Sequence, residues 1–124
     1  MKVLIVEDED YRLNWFLDRI GNCDIAKDVQ TAINFLTKNT YDYIMLDHDL
    51  NGYLENPSES TGYEVAKFIA GTPNEKAEII VHTVNPAGAQ AICSILPNAK
   101  PLPFGTFDVT KVGSKPNPNC PLCD

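Results

Sequence analysis

The sequence predicts an α/β domain in which helices cover both faces of a five-stranded parallel sheet. Three observations lead there. Short apolar runs recur along the first hundred residues ("KVLIV", "YDYIML", "AEIIVHT"), as in strands covered on both faces. The segments between them return their apolar residues at helical spacing. Strands and helices also alternate, and that order builds a parallel sheet through crossover connections. A chain of 124 residues is long enough for one such core.

The elements follow in chain order. "KVLIV" (2–6) is the first strand, and Asp10 is the expected cap of a helix carrying Leu13, Phe16, Leu17 and Ile20 on one face. Gly21 ends that helix, and "CDIA" (23–26) is a weak second strand. Asp28 then caps a helix with Val29, Ala32, Ile33 and Leu36 together, and "YDYIML" (41–46) is the third strand. "NGYLENPSES" (51–60) has loop composition. Thr61 and Glu64 form a capping box for the next helix, which Gly71 stops. "AEIIVHT" (77–83) is the fourth strand. Asn85 and Pro86 suit the cap and first position of a helix through Ala91, Ile92, Ile95 and Leu96. A short fifth strand is expected near 99–103, and beyond Gly105 only a short turn around Phe107. These units fit a flavodoxin-like, doubly wound sheet of strand order 2-1-3-4-5. The expected division is a domain over 1–104 and a tail over 105–124.

Composition narrows the function. Hydrophobic residues are 44% and charged residues 22%, a globular profile. No apolar run approaches a membrane span, and the N-terminus turns acidic too soon for a secretory signal, so a cytoplasmic location is expected. The net charge of −7, from 17 acidic and 10 basic residues, opposes binding along an extended nucleic acid. It still permits one phosphate to be held through a cation. Cys23 and Cys93 read as small core residues. Cys120 and Cys123 form a CxxC pair, half the ligand set of a structural zinc, and the expectation is an unstructured tail without zinc.

Polar residues gather where ligands bind such a sheet, at the carboxyl ends of the strands. The first strand ends in "EDED", the third in "DHD" and the fourth in "HTVN". With strands one, three and four adjacent, Glu7, Asp8, Asp47, Asp49, Thr83 and Asn85 converge. The chain's two histidines, His48 and His82, lie at these same ends. Carboxylates so grouped need protonation or a cation, and oxygen ligands suit Mg²⁺ or Mn²⁺. Strand alternation turns His48 away from Asp47 and Asp49, and His82 away from Thr83. A histidine is therefore expected to reach the cluster only where its strand has turned. Structural readings stand beside these: a helix start for Glu7–Asp10, a cap for Asn85, an ordinary strand residue for Thr83 and a core residue for His82.

"KVLIVEDED" followed by "YDYIMLD" resembles response-regulator receiver domains over roughly residues 1–104. The resemblance implies Mg²⁺ at Glu7 and Asp8, a phosphoacceptor at Asp47 and a switch hydroxyl at Thr83. Leu102 stands where receivers carry a lysine, Lys100 is two residues early, and the loop after Asp47 is longer. "LDHDLNG" with "VHTVNPAG" more closely resembles the cyclic-phosphate processing receiver domains. Their second motif is matched by His82, Thr83, Asn85, Pro86 and Gly88.

That resemblance implies processing of a phosphoester, such as a cyclic phosphate on RNA or a nucleotide. Glu7, Asp8, Asp47 and Asp49 would hold the metal, and Thr83 and Asn85 the phosphate. His48 or His82 would move the proton, with Asp47 as an alternative nucleophile. Two other readings remain: a signalling receiver phosphorylated on Asp47, and a non-catalytic module that binds a phosphorylated ligand.

Overall fold

Val3–Val6 forms β1, and all four residues are buried, as a strand at the centre of a sheet requires. In the computed structural model, which describes residues 2–47, 62–83 and 86–102, β1 pairs in parallel with β2 (Asp24–Ala26) and β3 (Tyr43–Leu46). β4 (Glu78–Val81) pairs with β3, and β5 (Lys100–Pro101) pairs with β4. The sheet order is β2-β1-β3-β4-β5, the flavodoxin-like order expected from the sequence.

The helices show why this sequence punctuates as it does. α1 (Asp10–Ile20) starts one residue earlier than expected: Glu9 is the N-cap, without a side-chain bond, and Asp10 opens the first turn. There Asp10 favours the positive end of the helix dipole rather than capping it. Gly21 closes α1 at φ 83°, its N–H donating to the Leu17 carbonyl, a conformation that glycine adopts without a Cβ penalty. α2 (Val29–Lys38) is capped as expected, the Thr31 N–H donating to Asp28 Oδ1 at 2.7 Å. α3 (Gly62–Ile69) is followed by Gly71 at φ 81° and a 3-10 turn at Pro73–Lys76. α4 (Pro86–Ile95) begins at the expected proline. Thr61, Asn85 and Phe107, each expected to cap or turn, lie outside the described residues, as do the loop 51–60, the tail from 105 and its Cys120 and Cys123.

All five strands are shorter than the segments expected from the sequence. Tyr41 precedes β3 because its N–H donates to the side chain of buried Asn74 at 2.7 Å rather than to a strand. β5 is only two residues long, Lys100–Pro101, with the Leu102 N–H just beyond it donating to the Val81 carbonyl at 3.0 Å. Cys23 and Cys93 are half-buried free thiols at the margins of the core rather than within it.

Alternate strand residues feed two cores. Leu4, Val6, Ile44, Leu46, Ile79 and Val81 pack beneath α2, α3 and α4. Val3, Ile5, Tyr43, Met45 and Ile80 face the other way, against Leu13 and Phe16 of α1. Each fully buried side chain of this size contributes about 1.5–3 kcal/mol. Among the described residues no helix is long and apolar enough to cross a membrane.

Candidate metal centre at the carboxyl edge of the sheet

The register of the sheet builds the site. Ile5, Met45 and Ile80 are aligned across β1, β3 and β4 on the α1 face. Two residues further along each chain stand Glu7, Asp47 and His82. Period-two alternation puts these three on the same side as the row beneath them. The backbone keeps its ladder there: Asp47 N–H donates to the Val6 carbonyl and His82 N–H to the Leu46 carbonyl, each at 3.1 Å. His82 therefore joins the carboxylates by staying in register, not by a turn of its strand.

All three side chains are buried, and each offers a ligand atom within 4.8 Å of the others. Glu7 is held at every side. Its Oε2 accepts the backbone N–H groups of Asp8 and Glu9, both at 3.0 Å. Its Oε1 lies 2.9 Å from His82 Nε2. Burial pushes the Glu7 carboxyl up to about 7, against the downward pull of the Glu9 N–H and the Arg12 guanidinium. Burial likewise pushes His82 down to about 4, although Asp47 pulls upward.

His82 packs edge-on against Phe16 of α1, the ring centroids 5.0 Å apart. Its Nδ1 is buried without a hydrogen-bond partner. The tautomer with hydrogen on Nε2 donates to Glu7 and leaves Nδ1 a bare acceptor, a smaller penalty than a stranded donor. His82 orients Glu7 through this bond, and both side chains are fully buried.

Of the residues singled out from the sequence, Asp8 is half-buried and lies outside the three-residue cluster, and Thr83 is buried beside His82. His48, Asp49 and Asn85 lie outside the described residues. Sequence reasoning missed Arg12. Its Nη1 lies 3.7 Å from Glu7 Oε1 and 3.9 Å from Asp47 Oδ2, and its side chain is 17% exposed. The signal was available: Arg12 is four residues before Phe16, so both lie on one side of α1, and Phe16 faces the sheet.

Two buried carboxylates and an imidazole in register are a donor set of the kind that holds a divalent cation, and burial is what raises the Glu7 carboxyl. Comparison with known proteins bears on what such a site belongs to. The profile of the cyclic-phosphate processing receiver domain matches residues 3–98. The chain belongs to that family. No curated protein matches it. Among solved structures, the fold is similar to the Mn²⁺-bound form of the response regulator Rcp1 at 20% identity. That likeness has a TM-score of 0.60 and covers 78% of this chain and 76% of the other. It is also similar to the response regulator TrrA from Thermotoga maritima in complex with Mg²⁺-BeF. Identity there is 25% and the TM-score 0.61, over 85% and 90% of the two chains. A third similar structure is the response regulatory domain of MrkE from Klebsiella pneumoniae, at 25% identity and a TM-score of 0.59, with 82% of each chain covered. The chain is thus a cyclic-phosphate processing receiver domain with a buried acidic cluster at the carboxyl edge of its sheet.

Proposed function

We propose that this receiver domain binds a divalent cation, Mg²⁺ or Mn²⁺, and processes a phosphoester such as a cyclic phosphate on an RNA end or a nucleotide. The observation that carries the reading is the in-register row of Glu7, Asp47 and His82. When bound, the cation offsets the carboxylate charge and polarises a phosphoryl oxygen. Glu7 is fixed by two backbone N–H groups and His82, so it meets a cation without reorganising. Asp47 ends β3 with its carboxylate toward the same point, as a ligand or as the attacking group. Asp8 and Asp49 complete the acidic set, and Thr83 and Asn85 hold phosphate oxygens. His48, next to Asp47 in sequence, is the proton carrier in this reading, because His82 is sealed from solvent and serves to orient Glu7. The small local ligand suits a chain whose net charge of −7 repels extended polyanions.

A second reading is favoured by Asp47 itself, which stands at the end of β3 beside the acidic residues of β1. The domain would then be a receiver phosphorylated on Asp47. Protein incubated with Mg²⁺ or Mn²⁺ and either a 2′,3′-cyclic phosphate or acetyl phosphate separates the two. Turnover of the cyclic phosphate that disappears in both Asp47→Ala and His48→Ala is the expected result. A stable phosphate on Asp47, without turnover and indifferent to His48→Ala, would replace processing by signalling. Stoichiometric binding without product would leave a ligand-binding module.

A further inference from the structure

The charge at the site does not close without a cation from the protein. Glu7, Asp8 and Asp47 carry up to three negative charges when ionised, and one divalent ion leaves about one uncompensated. An anionic ligand adds at least one more. Phosphoryl groups are commonly met by preorganised cations for this reason.

Among the described cations, Arg12 has ion-pair contacts with both Glu7 and Asp47. Lys100 pairs with Glu78 at the start of β4, the opposite end of that strand from His82. Lys27 pairs with Asp10 at 2.7 Å on the exposed flank of α1. The residue at the site end of β5 is Leu102, whose N–H donates to the Val81 carbonyl at 3.0 Å and whose side chain is apolar. Arg12 instead lies at the site, its Nη1 facing both Glu7 and Asp47.

Its geometry suits a ligand-facing group. At 3.7 and 3.9 Å its contacts with the two carboxylates are too long for hydrogen bonds. The attraction is Coulombic, and a cation entering between those carboxylates would take it over. Arg12 Nε donates to the Tyr11 hydroxyl at 3.1 Å, which steadies the side chain from its solvent side. The guanidinium presents donors in a planar fork that matches phosphoryl oxygens and stays charged at any working pH.

We propose that Arg12 binds the anionic oxygens of the ligand at this site, supplying from α1 the cation that the end of β5 does not. The proposal rests on the reading of this edge as a phosphoryl site. A counter-ion that merely neutralises Glu7 and Asp47 makes the contrary prediction for the anion: its removal would leave anion binding untouched.

The full chain is titrated calorimetrically with Mg²⁺ alone and then, at saturating Mg²⁺, with beryllofluoride as the phosphoryl probe. Wild type, Arg12→Lys and Arg12→Met are compared at matched thermal midpoints, and turnover of a 2′,3′-cyclic phosphate is followed in parallel. The expected result is a loss of beryllofluoride affinity of about tenfold or more in Arg12→Met, partly recovered in Arg12→Lys. Mg²⁺ alone should bind Arg12→Met at least as tightly as wild type. Wild-type beryllofluoride affinity in Arg12→Met overturns the proposal, as does parallel loss of Mg²⁺ and beryllofluoride, or a wild type that binds no beryllofluoride. Arg12-dependent beryllofluoride binding without cyclic-phosphate turnover upholds Arg12 and removes phosphoester processing. Turnover unchanged by Arg12→Met does the reverse.

Discussion

Asn74 shows what a single buried polar residue contributes to this fold. It is 2% exposed, and its Oδ1 accepts the Tyr41 N–H at 2.7 Å. Its Nδ2 donates to the Asn39 carbonyl at 2.9 Å and the Leu36 carbonyl at 3.3 Å. One side chain thus satisfies the backbone that carries α2 into β3. Asn74→Ala strands the Tyr41 N–H and two carbonyls, and should destabilise the protein by about 3 kcal/mol, read as a lower urea midpoint at unchanged slope. Asn74→Asp keeps the acceptor but loses the donors, so it should fall between; equal losses would mean that the Tyr41 bond contributes little. None of this was legible in the sequence. "TPNEK" reads only as a turn, and the partners of Asn74 lie 33 to 38 residues away. His82 was legible in part. Its place at a strand end was evident, but its pairing with Glu7 needed the register of three strands, which alternation within one strand does not give.

At the scale of elements, the sequence was most informative where chemistry is local. The order of strands and helices followed from apolar periodicity, and Asp28 was identified as a cap because an N-cap needs only a short polar side chain and the next turn. Asp28→Ala should therefore cost about 1 kcal/mol in chemical denaturation, with the loss recovered in Asp28→Ser. A loss no larger than that of an exposed control on α2 would show that the 2.7 Å bond to Thr31 is replaced by water. Boundaries were less legible because tertiary bonds set them. β3 starts at Tyr43 rather than Tyr41 because Asn74 takes the Tyr41 N–H. α1 hid its own contribution. Its apolar face was read from Leu13 and Phe16, whereas Arg12, one turn before Phe16, lies close to the two acidic strand ends.

For the whole molecule, the proton balance of the Glu7–His82 pair makes stability unusually informative. Glu7 moves from an ordinary 4.5 to about 7 on folding, so over that window the folded state holds a proton that the unfolded state has lost. Taken alone, this makes stability fall as pH rises from 4.5 to 7. His82 moves from 6.5 to about 4, so below 6.5 the unfolded state holds the extra proton, and stability rises with pH from 4 to 6.5. The windows overlap between 4.5 and 6.5 with opposite signs, and the pair's contribution should be nearly flat there, whichever partner carries the shared proton. Glu7→Gln removes one half of the balance. The variant's stability relative to wild type should climb between pH 4.5 and 7, by on the order of 3 kcal/mol, in urea titrations without divalent ions. A flat difference would mean that Glu7 is ionised throughout. A divalent cation then changes the balance, because a carboxylate ligand must give up its proton before it binds. Saturating Mg²⁺ should raise the wild-type thermal midpoint more at pH 8 than at pH 6, with one proton released for each ion bound at the lower pH. At one hundred times the dissociation constant the gain is about 2.7 kcal/mol. Glu7→Gln should lose most of that gain and all of its dependence on pH. An Mg²⁺ effect of the same size at both pH values, or one retained in Glu7→Gln, would move the cation away from Glu7 and toward the rim at Asp8.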